Sequence, residues 1–564
     1  MAGGLMNLVS QGQQNIILNG NPSKTFFKST YAQYTNFGLQ KFRVDFEGSR
    51  TLRLSEESLF TFKIPRYADL LMDTYISVAL PNIWSPILPP RETLEPDPQD
   101  AANRWAPYEF KWIENIGAKM ISKISITCGN YTLQEYSGDY LLAAVQRDFT
   151  QGKKELFDRM IGNVPELNDP ANSGSRVNSY PNAFYTDSPA GPEPSIRGSI
   201  LYIPLNNWFG LKSQMAFPLT SLQYNELHIN ITFRPINQLF QIRDVFDYVN
   251  NYPYVAPNFN LFYMQFYRFL QPPPDIVVGI DSYSDTRTLW NADIHLNCTY
   301  CFLSNDEERM FALNEQKYLI KQVHENRFYN VTGPNRVDLD SLGMVSSYLF
   351  YFQRSDANLR NEWSNYTNWP YNYIPKDLVQ APTSGFFPVT RSNGTESQTV
   401  FIGPGVNTDG KLTGWMITSP YSPENEKMIL VGLGLLLDGS YRENLQPAGV
   451  YNYIEKYTRT SGNAPDGLYC YNFCIHTSQL DLQPSGAINM SRFNQIQFEF
   501  TTIVPPLDPL AQSLTICDPE TGNIVGINKP TWRIYDYNFN LYLFEERINE
   551  IIFIGGNCGM AYAT

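Results

Sequence analysis

Apolar and polar residues alternate with period two along much of this 564-residue chain, and convincing helical periods are few. Phe60, Phe62 and Ile64 alternate with Thr61 and Lys63. Ile124, Ile126 and Cys128 alternate with Ser125 and Thr127. Leu227, Ile229, Ile231 and Phe233 alternate with His228, Asn230 and Thr232. Ile294, Leu296, Cys298, Tyr300 and Phe302 repeat the pattern, with Cys301 the exception, and so do Tyr535, Tyr537, Phe539, Leu541 and Leu543. Such stretches predict strands with one face packed and one face wet, the pattern of an antiparallel sandwich. A further strand is expected over 495–501, where Ile496, Phe498 and Phe500 oppose Gln497 and Glu499, launched directly from the turn Pro484-Ser485-Gly486.

Between the strands lie loops rich in Pro, Gly, Asn and Ser, at Pro86–Trp105, Pro165–Pro194 and Asn250–Asp275. The longest irregular region is expected at about 344–470, with strands and packing of its own, and within it the apolar run around Gly432-Leu-Gly434 reads as a buried strand; loops of that length tend to be functional. Asp306–Ala312 breaks the strand pattern and predicts a short helical connector, with a second β half opening at Gln316–Val323. The expected organisation is an N-terminal arm (1–25), a first β half with loop insertions (26–304), a connector (305–316), a second half carrying the large insertion (317–548) and a C-terminal tail (549–564). No short sequence repeat relates the halves.

Composition sharpens this picture. Charged residues are 17% of the chain, against about 25% in an ordinary soluble protein, while aromatics reach 14%. A weakly charged, aromatic-rich chain suits a protein that buries much of its outside against partners. The net charge of −13 repels phosphate, so direct nucleic-acid binding is not expected. Residues 1–44 are the local exception, with Lys24, Lys28, Lys41 and Arg43 and no acid. The seven cysteines are scattered, the N-terminus shows no signal-peptide pattern, and residue 2 is Ala, which excludes simple N-myristoylation. The longest apolar run, Met428–Leu437, is half of what a transmembrane helix needs. These features predict synthesis in a reducing cytosol and no transmembrane segment.

Few groups suggest catalysis. His295, Cys298 and Cys301 have metal-like spacing, but on a strand 298 faces away from the other two, which lie roughly 20 Å apart at about 3.3 Å per residue. Cys470, Cys474 and His476 would need a loop to converge. The adjacent acids Glu307/Glu308 and Glu545/Glu546 are expected to be solvated. No P-loop, G-x-S-x-G or H-E-x-x-H occurs. Among seven N-x-S/T sequons, Asn365 and Asn393 in the large insertion are the better glycosylation candidates. Trp363, Trp369 and Trp415 suggest either packing of the insertion or, as in a carbohydrate-binding jelly-roll protein, a sugar-stacking surface.

Five segments in order resemble one family. They are Asn19-Gly-Asn-Pro-Ser-Lys-Thr-Phe-Phe-Lys28 with Tyr34-Thr-Asn-Phe37, and Trp112-Ile-Glu-Asn-Ile-Gly117 continuing to Tyr136-Ser-Gly-Asp-Tyr140. Next come Leu201-Tyr-Ile-Pro-Leu205 with Trp208-Phe209 and Leu219–Phe233, and then Leu289–Ala312 with Tyr318-Leu-Ile320. Last is the segment Leu482–Phe493 around Pro484-Ser485-Gly486, with Ile551–Tyr562. Together they resemble the major capsid proteins of nucleocytoplasmic large DNA viruses. The resemblance implies an all-β double jelly roll, two eight-stranded antiparallel β-sandwiches side by side with long loop insertions. It also implies a non-enzymatic, cofactor-free structural protein of a large icosahedral virion, made in the host cytoplasm. Its expected partners are itself, as a homotrimer and with neighbouring trimers, together with minor capsid and penton proteins. A lower-copy capsid paralogue would share these features.

Overall fold

The computed structural model describes residues 3–562 apart from 49–50, 89–105, 246–251, 275–282, 371–377, 381–384, 391–396, 403–404, 407–411, 414–415, 419–424, 509, 512–513, 529–530 and 532. Sixteen strands carry the architecture. The first eight are β1 (Gly38–Val44), β2 (Ser58–Lys63), β3 (Leu70–Ala79), β4 (Ile121–Cys128), β5 (Tyr131–Tyr136), β6 (Ile200–Pro204), β7 (Leu227–Phe233) and β8 (His295–Phe302). The second eight are β9 (Gln316–Phe328), β10 (Pro334–Asp338), β11 (Met344–Arg354), β12 (Leu430–Leu437), β13 (Ser440–Tyr441), β14 (Leu468–Asn472), β15 (Ile496–Thr502) and β16 (Phe539–Ile554).

The first eight form an antiparallel sheet ordered β1-β8-β3, with β6 and the short strand Phe217–Pro218 both on β3, and a second sheet ordered β2-β7-β4-β5. The second eight give β9-β16-β11-β14 and β10-β15-β12-β13. Counted within each half, both read 1-8-3-6 and 2-7-4-5. That order is a jelly roll, so the fold is a double jelly roll.

Alternation is what closes each sandwich. Along β7 every second residue from Leu227 to Phe233 is buried, and β2 and β4 behave alike at Phe60, Phe62, Ile124 and Ile126. These residues share one core with Val44, Leu71, Ile76 and Val78 from the facing sheet. In the second roll Tyr348, Phe350 and Phe352 of β11 meet Phe498 and Phe500 of β15 across the sandwich, with ring centroids 5.2–5.7 Å apart.

The connector is helical, over Asn305–Leu313, and is numbered α4. The other helices of seven residues or more among the described residues are α1 (Gly3–Val9), α2 (Gly138–Asp148) and α3 (Gln151–Met160). No described helix is long and apolar enough to cross a membrane.

Several expectations change. The irregular region does not run from 344 to 470, because β11, β12 and β14 are core strands. What lies between β11 and β12 includes two-stranded ladders, Leu378–Gln380 with Met416–Thr418 and Gly385–Thr390 with Ser397–Ile402. β11 and β12 carry no alternation because both of their faces are buried, and β12 bears out the buried strand expected at Gly432-Leu-Gly434. The turn at 484–486 does not launch β15 directly. Ile488–Asn489 first pairs with β11 and a helical turn, Met490–Arg492, follows. The tail expected from 549 begins inside β16, which continues to Ile554 and then returns as Asn557–Met560.

Candidate functional site

The feature that defines this chain's behaviour is the seam between its two rolls. Ser137 caps α2, its Oγ accepting from Tyr140 N at 3.2 Å. The helix turns Tyr140, Leu141, Leu142 and Val145 inward. They meet the outer face of β9-β16-β11-β14, whose Leu349, Tyr351, Leu468, Phe544 and Phe553 belong to the first roll's core cluster. β11 therefore serves two cores, with Tyr348, Phe350 and Phe352 inward and Leu349 and Tyr351 toward the neighbour. The edge strand β5 lies against β9, where Gln322 Nε2 donates to Leu133 O at 3.2 Å. The far end of the seam is aromatic, Phe217 meeting Phe553 edge-on at 5.1 Å and Trp208 lying 5.5 Å from Tyr318.

A fully buried ionic cluster sits inside this contact. Arg147 of α2 has no exposed side-chain surface. It donates through Nε and Nη2 to both carboxylate oxygens of Asp148, at 3.0 and 2.7 Å, and through Nη2 to Glu546 Oε1 of β16 at 2.7 Å. Glu546 also accepts from Tyr140 Oη at 2.7 Å and Ser347 Oγ at 2.6 Å, and Lys321 Nζ lies 3.8 Å away. Thr477 Oγ1 donates to Asp148 at 2.6 Å and Gln479 Nε2 donates to Tyr140 Oη at 2.6 Å. The end of α2 is sealed by the other roll, Gly462 N donating to Arg147 O at 2.8 Å and Ser461 Oγ to Asp148 O at 2.5 Å. A Cβ at Gly462 would lie 2.5 Å from Arg147 O, so only glycine permits this approach.

Burial alone would raise the Glu546 carboxyl, yet the charges of Arg147 and Lys321 and the hydrogen bonds from Arg147 and Ser347 hold it at about 2. Burial instead raises the Asp148 carboxyl, against the opposing pull of Arg147. A second cluster lies nearby. Burial also opposes the charge on Asp139, but Arg234 and Lys119 overcome it and hold the carboxyl well below its usual range, with contacts of 2.6 and 2.7 Å. Lys119 Nζ also donates to Tyr366 Oη at 3.3 Å, tying the loop that leaves β11 to the first roll.

The turn singled out by sequence braces this cluster from one side. Ser485 Oγ accepts from His476 N and donates to His476 O, both at 2.9 Å, and so holds the loop that carries Thr477 and Gln479 into the seam. Gly486 has φ +143°, and a Cβ there would lie 3.2 Å from Phe473 O. Pro484 precedes this pair as a half-buried residue.

Other candidates fall elsewhere. Glu545 and Glu546 diverge as neighbours on a strand must, but neither is solvated. Glu545 is buried against Arg547 at 2.6 Å, which corrects the expectation of exposed acids. Cys298 faces the main core and Cys301 a small separate cluster. Burial pushes the Cys470 thiol up to about 12. Asn365 is buried, its Nδ2 donating to Trp369 O at 2.7 Å and its Oδ1 accepting from Thr367, a placement unsuited to a glycan in the folded chain. Asn393 and Trp415 lie outside the described residues. Trp363 and Trp369 serve packing, donating to Gln238 O and Asn425 O at 2.9 and 2.7 Å beneath Arg234 and Lys427. Sequence reasoning missed α2 and its charges. The signal present was Ser137 as cap followed by inward residues at 141, 142 and 145.

Two jelly rolls are thus bonded flank to flank, and no cleft of converging catalytic groups is found among the described residues. Comparison with known proteins makes the assignment. A family described as major capsid protein N-terminus matches residues 25–268, and one described as large eukaryotic DNA virus major capsid protein matches residues 307–540. The major capsid protein of Phaeocystis pouchetii virus is 23% identical over the whole of both chains, and that of Paramecium bursaria Chlorella virus 1 is 22% identical over the whole of both. Among solved structures, the PBCV-1 capsid subunit superposes with a TM-score of 0.57 at 16% identity, over 96% of this chain and 100% of that one. The Faustovirus major capsid protein gives 0.57 at 12%, over 96% and 94%. The chain belongs to the major capsid protein family of large eukaryotic DNA viruses, and its role is structural.

Two outcomes are expected. Glu546→Gln leaves Arg147 buried without its charged partner across the seam and should cost about 3–5 kcal/mol in urea unfolding. In the wild type, Glu546 is depressed from 4.5 to about 2, so its contribution is complete above pH 4.5 and disappears as pH falls toward 2. Unfolding midpoints across that window should fall more steeply for the wild type than for the variant, and equal slopes would contradict the assignment. Gly486→Val should cost roughly 1–3 kcal/mol through its strained φ, more if Phe473 cannot yield; unchanged yield and melting temperature would show that the turn tolerates a side chain.

Proposed function

We propose that three copies of the chain associate into a capsomer of pseudo-hexagonal outline, and that such capsomers tile the shell of an icosahedral virion. The observation that carries this reading is the locked pair of rolls. Each chain offers two lobes of identical strand order held in one fixed relation, so threefold association sets six similar lobes around an axis. A permanent trimer should bury more than about 2,000 Å² in total. Contacts between capsomers are weaker, so that a closing shell can correct errors. Penton proteins occupy the vertices in this scheme, and synthesis takes place in the host cytoplasm.

The N-terminal arm has a separate role in this reading. Residues 3–37 lie on the outside of the subunit, and they include Leu8, Val9, Ile17, Leu18, Phe26 and Phe27, all at least 68% exposed. We infer that the arm lies on the inner side of the shell, its first 21 residues docking on minor capsid proteins.

Light scattering after size exclusion, with electron micrographs of the same peak, tests the trimer. The expected result is the mass of three 64.6 kDa chains and a hexagonal outline; a stable monomer would defeat it. Deletion of residues 1–21 should leave soluble trimers that fail to form shells, whereas monomeric or aggregated deletion protein would count against the arm's assigned role.

A further inference from the structure

The seam also holds a group of a different chemistry at its C-terminal end. After β16 the chain turns through Gly555 and Gly556 and returns as Asn557–Met560 along β16. This hairpin belongs to the second roll but is fastened to the first. Gly556 O accepts from Gln223 N at 2.8 Å and from Tyr224 N at 3.3 Å, and Asn225 Nδ2 donates to Asn557 Oδ1 at 3.3 Å. The next residue, Cys558, is 4% exposed and belongs to the first roll's core. There it meets Cys128, the last residue of β4, which is wholly buried opposite Leu227. The two side chains lie close enough to influence each other, and both thiols are free.

We propose that Cys128 and Cys558 are a convertible pair, reduced while the chain folds and oxidised to a disulfide that staples the C-terminal hairpin of the second roll to the first when the protein meets a disulfide oxidant such as oxidised glutathione. The neighbouring Cys558 side chain favours the thiolate of Cys128 and lowers its pKa, while Cys558 is raised. Cys128 is therefore the attacking sulfur. It displaces one glutathione as thiolate, which takes up the proton Cys128 has lost, and leaves a mixed disulfide. Cys558 then loses its proton and attacks the Cys128 sulfur, expelling the second glutathione. Two protein thiols are oxidised by two electrons and one glutathione disulfide is reduced to two thiols. Access requires the hairpin to open, and a short ladder of four residue pairs at the end of a sheet opens more readily than the core strands.

The pair is distinguished from the remaining cysteines by contact. Cys298 and Cys301 face opposite sides of one strand, and Cys517 is exposed and would join separate copies. The test therefore uses the full chain carrying Cys517→Ser, incubated with oxidised glutathione. Thiol titration in denaturant should fall by two, and a non-reducing peptide map should join the peptide of Cys128 to that of Cys558. The melting temperature should rise and return on addition of dithiothreitol. Adding Cys558→Ser should abolish both the linkage and the shift. The map of the Cys517→Ser protein decides the matter even if the double variant folds poorly. Retention of all its thiols after prolonged exposure, or linkage of either residue to a different cysteine, would overturn the proposal. The readout is the same for a monomer and a trimer, so it does not depend on the capsomer reading.

Discussion

The contact between Arg147 and Glu546 is the constraint on which the subunit's shape depends. Each jelly roll could satisfy its own backbone and bury its own core alone. What makes the chain one object is that α2 of the first roll presses a guanidinium against a carboxylate on β16 of the second, with both groups fully buried. Removing such ions from water costs several kcal/mol apiece, and an apolar replacement of equal volume is often no less stable. The cluster is therefore better understood through direction than through strength. An aromatic seam of Phe, Tyr and Trp would tolerate small slides of one sheet over another. Two carboxylates, a guanidinium and four hydroxyl or amide donors at 2.6–3.0 Å are satisfied in one register only. For a shell subunit, a fixed angle between lobes matters because any error recurs at every copy.

The same cluster explains why so much sequence converges on it. Asp148 and Arg147 are adjacent, but Glu546, Ser347, Thr477 and Gln479 arrive from β16, β11 and the loop before the 484–486 turn. That turn sets where Thr477 lies by holding His476 at both its N–H and its carbonyl. Gly462 contributes by having no side chain. The elements that the family resemblance rests on, the Tyr136–Tyr140 segment and the Pro484–Gly486 turn, thus meet at one place in space, the first carrying the helix cap and Tyr140 and the second bracing the loop opposite.

What could be read from the sequence follows burial geometry. Strands wet on one face announced themselves by alternation, as in β2, β4 and β7. β11 and β12 did not, because a strand packed on both sides reads as a plain apolar run and carries no period. β12 is legible as the apolar run around Gly432-Leu-Gly434, whereas β11 falls within the region expected to be irregular. α2 was hidden for a related reason: all but Gln146 of its residues are buried, so no polar stripe marks its outer side. The ionic cluster was the least legible. Glu546 looks like an ordinary surface acid beside Glu545, and only the pairing of β16 with β11, which sets Glu546 opposite Ser347, turns it inward. Partners nearly four hundred residues away leave no local trace. The resemblance of Pro484-Ser485-Gly486 identified the family without revealing what the turn braces.

Strength in this protein decreases outward, and that gradient suits assembly. The intramolecular seam combines aromatic packing with desolvated charge and needs local unfolding to break. The periphery is different in kind. The arm displays Phe26 and Phe27 with almost their entire side chains in solvent, and the hairpin Leu514–Cys517 with Ile524–Asn528 exposes Ile516, Ile524, Val525 and Ile527. Exposed apolar residues in this density are unusual on a protein that stays alone, and they carry little charge to enforce register. Surfaces of that kind associate reversibly and are stabilised by area rather than by a unique set of polar contacts. A lobe pair held in one register by buried charge, with apolar and less directional edges, is the division of strength that the proposed assembly requires.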